Sequence, residues 1–240
     1  MKLNTPKLDQ LDTVLAQLRL LADPDVVAFK SKKYGINGHG HMGIYHKQLK
    51  DLSKQIVKSN ELALALFDTG LYEARILCSK LLHPKSITPS LIDQWIAVFD
   101  TWEICDSFCM SFIGQTAYSY DKIFDYENHP GEFQRRAAFT LMVGYNFGHK
   151  KAPNEDFISF LPLIKRAASD ERNFVKKAVN WALRTIGKRN KDLNVVALAC
   201  AEELLNMESK SAIWIAKDAI RELSNPGLKT QDYPRAIYRP

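Results

Sequence analysis

Trp102 and Asp106 stand four residues apart, the spacing that places an indole and a carboxylate together on one edge of a helix. Such a pair suits the stabilisation of positive charge developing on a sugar as a glycosidic bond breaks. It suits equally an aspartate that hydrogen-bonds a neighbouring helix or pairs with an arginine. A second pattern lies in residues 174–190. On a helix turning about 100° per residue, Val175, Ala178, Val179, Ala182, Leu183 and Ile186 share one face, while Lys177, Arg184 and Lys188 line another with Trp181 at its border. An indole among cations either folds back over the edge of the core or offers a ring within a phosphate-attracting stripe. A third pattern is Arg135-Arg136 ahead of Ala137-Ala138-Phe139, which reads as one arginine in a cleft and one in solvent, or as an ion pair between repeats. His39 and His41 sit two apart in a glycine-rich stretch without the further ligands that a zinc site needs. That stretch reads as a flexible turn, and no metal is expected.

The elements that must position these groups are helices. Apolar residues recur at three- and four-residue intervals almost throughout, and no period-two run rich in β-branched residues interrupts them. The periodicity predicts thirteen helices, over residues 8–21, 25–33, 44–58, 60–68, 72–82, 90–99, 100–113, 118–126, 131–147, 156–168, 171–188, 195–207 and 210–223, with Asn60, Ser90 and Asp170 as N-caps. Helices this short with brief connections suggest antiparallel pairs stacked side by side, an all-α solenoid of degenerate repeats. A compact irregular bundle is the alternative. Residues 1–224 read as one domain, followed by an irregular tail over residues 225–240 that carries three prolines and a glycine.

Composition narrows the partners. With 46% apolar and 25% charged residues in 240, the chain reads as an ordinary globular protein that needs neither disulfides nor a structural metal to fold. Cys78, Cys105, Cys109 and Cys200 read as reduced core thiols. The uncharged stretch 107–120, 14 residues long, is too short to span a bilayer. The first residues lack the features of a secretory signal, so a cytoplasmic protein with no membrane partner is expected. Residues 1–120 carry 13 basic and 12 acidic side chains, and residues 121–240 carry 20 and 15. Within residues 165–191 nine cations face only Asp170 and Glu171, a local charge of +7 that permits a polyanionic partner.

Three segments, Asp68-Thr69-Gly70-Leu71-Tyr72-Glu73-Ala74-Arg75-Ile76-Leu77, residues 102–109, and Arg172-Asn173-Phe174-Val175-Lys176-Lys177-Ala178-Val179-Asn180-Trp181-Ala182-Leu183-Arg184, resemble the AlkD-type DNA alkylation repair family, helical-repeat alkylpurine DNA glycosylases. With the Arg135-Arg136 step they fall in the family's order, and the likeness spans roughly residues 30–223. The resemblance implies a single curved domain of HEAT-like repeats whose basic concave face holds double-stranded DNA. It implies that Trp102, Trp181 and Asp106 contact the lesioned nucleotide and that Arg136, or Arg135 if the register differs by one, holds the backbone. Lys176, Lys177, Arg184, Lys188 and Arg189 would supply further DNA contacts. The implied reaction is hydrolysis of the N-glycosidic bond of a 3- or 7-alkylpurine by a monomer, without metal or organic cofactor. Near the N-terminus the chain departs from the family pattern, with Lys47 where a proline is common and Leu49-Lys50 where Leu-Arg is. A noncatalytic helical-repeat scaffold that binds nucleic acid or protein is the alternative reading.

Overall fold

Short polar side chains fix six of the helix starts. Asp23, Ser59, Thr88, Thr101, Asn190 and Ser209 each accept a hydrogen bond from a backbone N–H two or three residues on. Each such cap contributes about 1 kcal/mol. In the computed structural model, which describes residues 7–38 and 40–239, the helices are α1 (Lys7–Leu20), α2 (Pro24–Tyr34), α3 (His46–Gln55), α4 (Asn60–Asp68), α5 (Tyr72–Leu81), α6 (Pro89–Ala97), α7 (Trp102–Ser111), α8 (Ser119–Tyr126), α9 (Glu132–Gly148), α10 (Asn154–Ala167), α11 (Asn173–Gly187), α12 (Lys191–Leu205), α13 (Lys210–Leu223) and α14 (Arg235–Tyr238). Every regular element among the described residues is helical, and no helix among them is long and apolar enough to cross a membrane.

The thirteen helices expected from periodicity are all present, with different caps. Ser59 and Thr88 take the places expected of Asn60 and Ser90, because Asn60 and Pro89 are already helical. Asp170 accepts from the Arg172 N–H but lies outside α11. Asn190 starts α12 four residues early, and the tail expected to be irregular adds α14.

The chain forms two compact units that divide between Phe112 and Ile113. In the N-terminal unit α5 packs against α3, α4 and α7. Its core is aromatic. The buried Trp95 ring lies 5.8 Å from Phe67, 5.3 Å from Phe108 and 5.8 Å from Phe112. Cys78, Cys105 and Cys109 are buried here, and so is Cys200 in the other unit.

In the C-terminal unit α9, α11 and α13 pack side by side, and α8, α10 and α12 form a second layer behind them. Short loops return the chain between layers, which makes the pairs antiparallel. The expected apolar face of α11 is the core face: Val175, Ala178, Val179, Ala182, Leu183 and Ile186 are all buried. Burying a Val, Leu or Ile side chain contributes about 1.5–3 kcal/mol, so this stripe dominates the docking of α11.

Candidate nucleic-acid interface

In the N-terminal unit the cap formed by Thr101 makes Trp102 the first residue of α7. Its indole Nε1 donates to the Tyr34 carbonyl at 3.0 Å, which ties α7 to the end of α2. The Tyr34 ring stands edge-on to Trp102 at 6.3 Å and to Phe29 at 5.8 Å, with Lys33 Nζ 5.3 Å above Tyr34. Asp106 follows one turn later on the same edge, and both Trp102 and Asp106 are half-buried.

Beneath that edge the residues are polar and covered. Glu103 receives Lys30 Nζ at 3.1 Å and the Tyr72 hydroxyl at 2.8 Å, and Lys30 also donates to the Ile44 carbonyl at 3.0 Å. Burial, reinforced by the Glu103 charge, raises the Tyr72 phenol and keeps it protonated. Ser107 Oγ lies 3.2 Å from His46 Nε2, which lies 3.1 Å from Lys80 Nζ. Burial and the nearby Lys50 bring the Lys80 amine down to about 8. Burial, then Lys80, holds the His46 imidazole below its ordinary value.

The glycine-rich stretch is anchored, contrary to the flexible turn expected. Glu73 is fully buried, and its carboxylate accepts from the Met42, Gly43 and Ile44 N–H groups at 2.8, 2.9 and 3.1 Å. Gly43 has φ 78°, and a Cβ there would lie 2.0 Å from the Asp23 carbonyl, so only glycine fits. His41 Nε2 stands 3.3 Å from Glu73 Oε1, yet burial outweighs that charge and lowers the imidazole pKa. His39 lies outside the described residues.

In the C-terminal unit the basic stripe of α11 is present but largely matched by acids. Arg184 pairs with Glu222 and, at 3.5 Å, with Asp218, both on α13, and Lys188 pairs with the same Glu222. Burial pushes the Glu222 carboxyl up, but hydrogen bonds from Lys188 and Arg184 prevail and hold it below the usual range. Trp181 is half-buried at the border of the stripe and Lys177 is exposed. Lys176 turns to α13, with Nζ 5.3 Å above the Trp214 ring.

Three arginines expected at DNA are engaged within the fold. Arg189 is fully buried, because its guanidinium donates to the carbonyls of Asn146, His149, Lys150 and Ala152 at 3.0–3.2 Å and to Asn146 Oδ1 at 2.9 Å. It stacks 4.1 Å above Phe157 and closes the C-terminal end of α9. Burial brings this guanidinium down to about 10. A surface DNA contact by Arg189 is thereby ruled out. Arg136 is 5% exposed and donates to the Phe174 carbonyl at 2.6 Å, so it secures the first turn of α11. Arg135 donates to the Glu127 carbonyl at 2.9 Å and to Asp170 at 2.8 Å. Burial raises the Asp170 carboxyl, but the hydrogen bonds of Arg172 and the charge of Arg135 outweigh it and hold it low.

The periodicity of α11 did not reveal its neighbour. On α13, Lys210, Trp214, Lys217 and Arg221 follow at spacings of four, three and four, so they share one exposed face. Trp214 is 42% exposed. The same aromatic-among-cations pattern that marked Trp181 would have found it.

Among the described residues no cluster of three or more His, Cys, Asp or Glu could hold a metal ion. No curated protein sequence matches the chain. A solved structure described as "A new family of proteins related to the HEAT-like repeat DNA glycosylases with affinity for branched DNA structures" is similar at 19% identity, with a TM-score of 0.73 over 92% of this chain and 97% of that one. That likeness fixes the fold as an all-α stack of HEAT-like helix pairs. The family model described as "DNA alkylation repair enzyme" matches residues 14–223, which takes in the α7 edge and the α11 stripe alike, so the chain belongs to that family.

Proposed function

We propose that the protein is a DNA glycosylase that hydrolyses the N-glycosidic bond of a 3- or 7-alkylpurine in duplex DNA, as a monomer and without a cofactor. The observation that carries this reading is the α7 edge, where the indole of Trp102 is fixed by its bond to Tyr34 and the Asp106 carboxylate stands one turn away, half-buried, in a chain of this family. Alkylation at N3 or N7 leaves the purine cationic. Its bond to C1′ therefore breaks with both electrons passing to the base, which departs neutral without being protonated. The positive charge moves to the deoxyribose, where Asp106 stabilises it and orients the water that bonds to C1′; the proton of that water leaves to the carboxylate or to solvent. Trp102 packs on the sugar, and Trp181 meets the DNA alongside the α11 cations. Lys176, Lys177, Arg184 and Lys188, with Lys210 and Lys217 of α13, meet phosphates. Arg136 acts as a positioning residue for α11, which carries Trp181.

The test is release of free base from duplex DNA carrying 7-methylguanine. The wild type is expected to release it, and Asp106→Asn to slow release by about a hundredfold or more while duplex binding persists. Binding without release by the wild type would leave the second reading, a DNA-binding protein that does not excise. That reading draws on the acids matched to the α11 stripe and on the branched-DNA affinity described for the similar structure.

A further inference from the structure

We infer that a cavity between the C-terminal tail and the loop after α9 binds an unpaired nucleotide of a DNA strand. The cavity has a volume of about 610 Å³, and its walls include Lys150, Lys151, Tyr233, Pro234, Arg235 and Ile237. That size is ordinary for a small-ligand site. The tail wall is held in place by its own bonds: Gln231 N–H donates to the Lys188 carbonyl at 2.9 Å, Tyr233 N–H to the Arg189 carbonyl at 3.1 Å, and Asn190 Nδ2 to the Tyr233 carbonyl at 2.7 Å. Beyond the cavity the Tyr238 hydroxyl holds the tail to α12 by donating to Asp192 at 2.6 Å. The cavity therefore exists before any ligand arrives, and little ordering is required on binding.

Its chemistry is unlike that of the α11 stripe. Lys150, Lys151 and Arg235 are exposed, no carboxylate lines the cavity, and none of the three forms an ion pair among the described residues. Lys150 Nζ and the Arg235 guanidinium each lie 5.6 Å from the Tyr233 ring, so cation and ring surfaces alternate around the cavity. Beside them Ile237 is 68% exposed. A flat ring joined to a phosphate is the ligand that matches cations interleaved with Tyr, Pro and Ile surfaces. A paired base hides its faces in the helical stack, so the nucleotide must be unpaired, as at a strand end or a single-stranded extension.

The inference rests on the proposed binding of DNA, and one titration separates the two. Fluorescence anisotropy is measured with a short blunt duplex and with the same duplex carrying a few unpaired nucleotides at one end. The wild type is expected to bind the tailed duplex about tenfold more tightly than the blunt one, a stacking contribution of ordinary size. Lys151→Gln with Arg235→Gln, both at exposed positions, is expected to remove that preference and leave blunt-duplex binding unchanged. Equal binding of the two duplexes by the wild type overturns the inference alone, whereas absence of binding to either overturns it together with the DNA reading. A preference that survives the double substitution also overturns it. Competition by dAMP that saturates the site without any preference for the tailed strand would make it a free-nucleotide site and overturn the assignment to a strand.

Discussion

The segment over residues 165–191 and the tail cavity hold the same kinds of residue and use them in opposite ways. Of the nine cations in that segment, Lys165, Arg166, Arg172, Arg184 and Lys188 are ion-paired with Glu203, Glu127, Asp170 and the α13 acids, and Arg189 is enclosed by carbonyls. Among the described residues the cations of the cavity have no such partners. A local excess of +7 thus overstates the field that a polyanion meets at α11, while three unremarkable residues spread over Lys150, Lys151 and Arg235 escape neutralisation. Charge counted along the chain measures supply; the neighbouring helix decides what remains for a ligand.

The strongest way to separate the two uses is to remove the enclosed cation. Arg189→Met keeps the apolar stem against Phe157 and removes the guanidinium's hydrogen bonds to the carbonyls at the end of α9. Leaving several buried acceptors unmade is expected to cost about 3 kcal/mol or more, read as a lower urea midpoint. The tail hangs on the Arg189 carbonyl through Tyr233, so the cavity should loosen with it. Lys177→Gln, at an exposed position, should leave the midpoint unchanged. Equal stability of Arg189→Met and the wild type would show that the guanidinium is dispensable to the fold and restore it as a surface cation.

The helices and the α7 edge were legible because both are local. The face formed by Val175, Ala178, Val179, Ala182, Leu183 and Ile186 needs only the helical period, and Trp102 with Asp106 needs only one turn. The partners of the cations were not legible, because they are distant in the chain: Glu222 is 38 residues from Arg184, and its placement depends on how α13 docks on α11. The same reason hid the role of Glu73, whose carboxylate organises backbone about 30 residues away. Tail proline content argued for irregular structure, yet Pro234 serves as the entry to α14, a position that needs no N–H. The Lys210, Lys217 and Arg221 face around Trp214 has the same spacing as the α11 stripe, but Asp218 and Glu222 on α13 keep its net charge small.

Lys80 in the N-terminal unit is a third case, a covered cation whose near partner is His46 rather than a carboxylate. Its folded-state value of about 8 lies below the ordinary 10.5. Between these values the unfolded chain binds a proton that the folded chain does not, so stability rises with pH across that window and is lost as pH falls through about 8. Relative to Lys80→Met, the wild type should gain about 1–2 kcal/mol from pH 7 to pH 10, after allowance for the solvent that reaches the amine. Urea unfolding of both proteins at several pH values reads the difference directly. A difference that stays flat would mean that the amine is hydrated like a surface lysine and belongs with the open cations of the cavity.

The smallest expected effect bears on the stripe itself. Glu222→Gln releases Arg184 and Lys188 from one shared carboxylate. The stability lost should be about 0.5–1 kcal/mol, since all three side chains reach solvent. Duplex affinity at low salt should rise a few-fold, with a salt dependence steeper by about one released counterion. Glu222→Gln still accepts a hydrogen bond but carries no charge, so Arg184 keeps its place beside Asp218 at 3.5 Å while the charge of Lys188 becomes available. If affinity and salt slope both stay as in the wild type, then Arg184 and Lys188 serve only to join α11 to α13. The phosphate-facing surface of the unit would then reduce to Lys176 and Lys177 of α11 with Lys210 and Lys217 of α13.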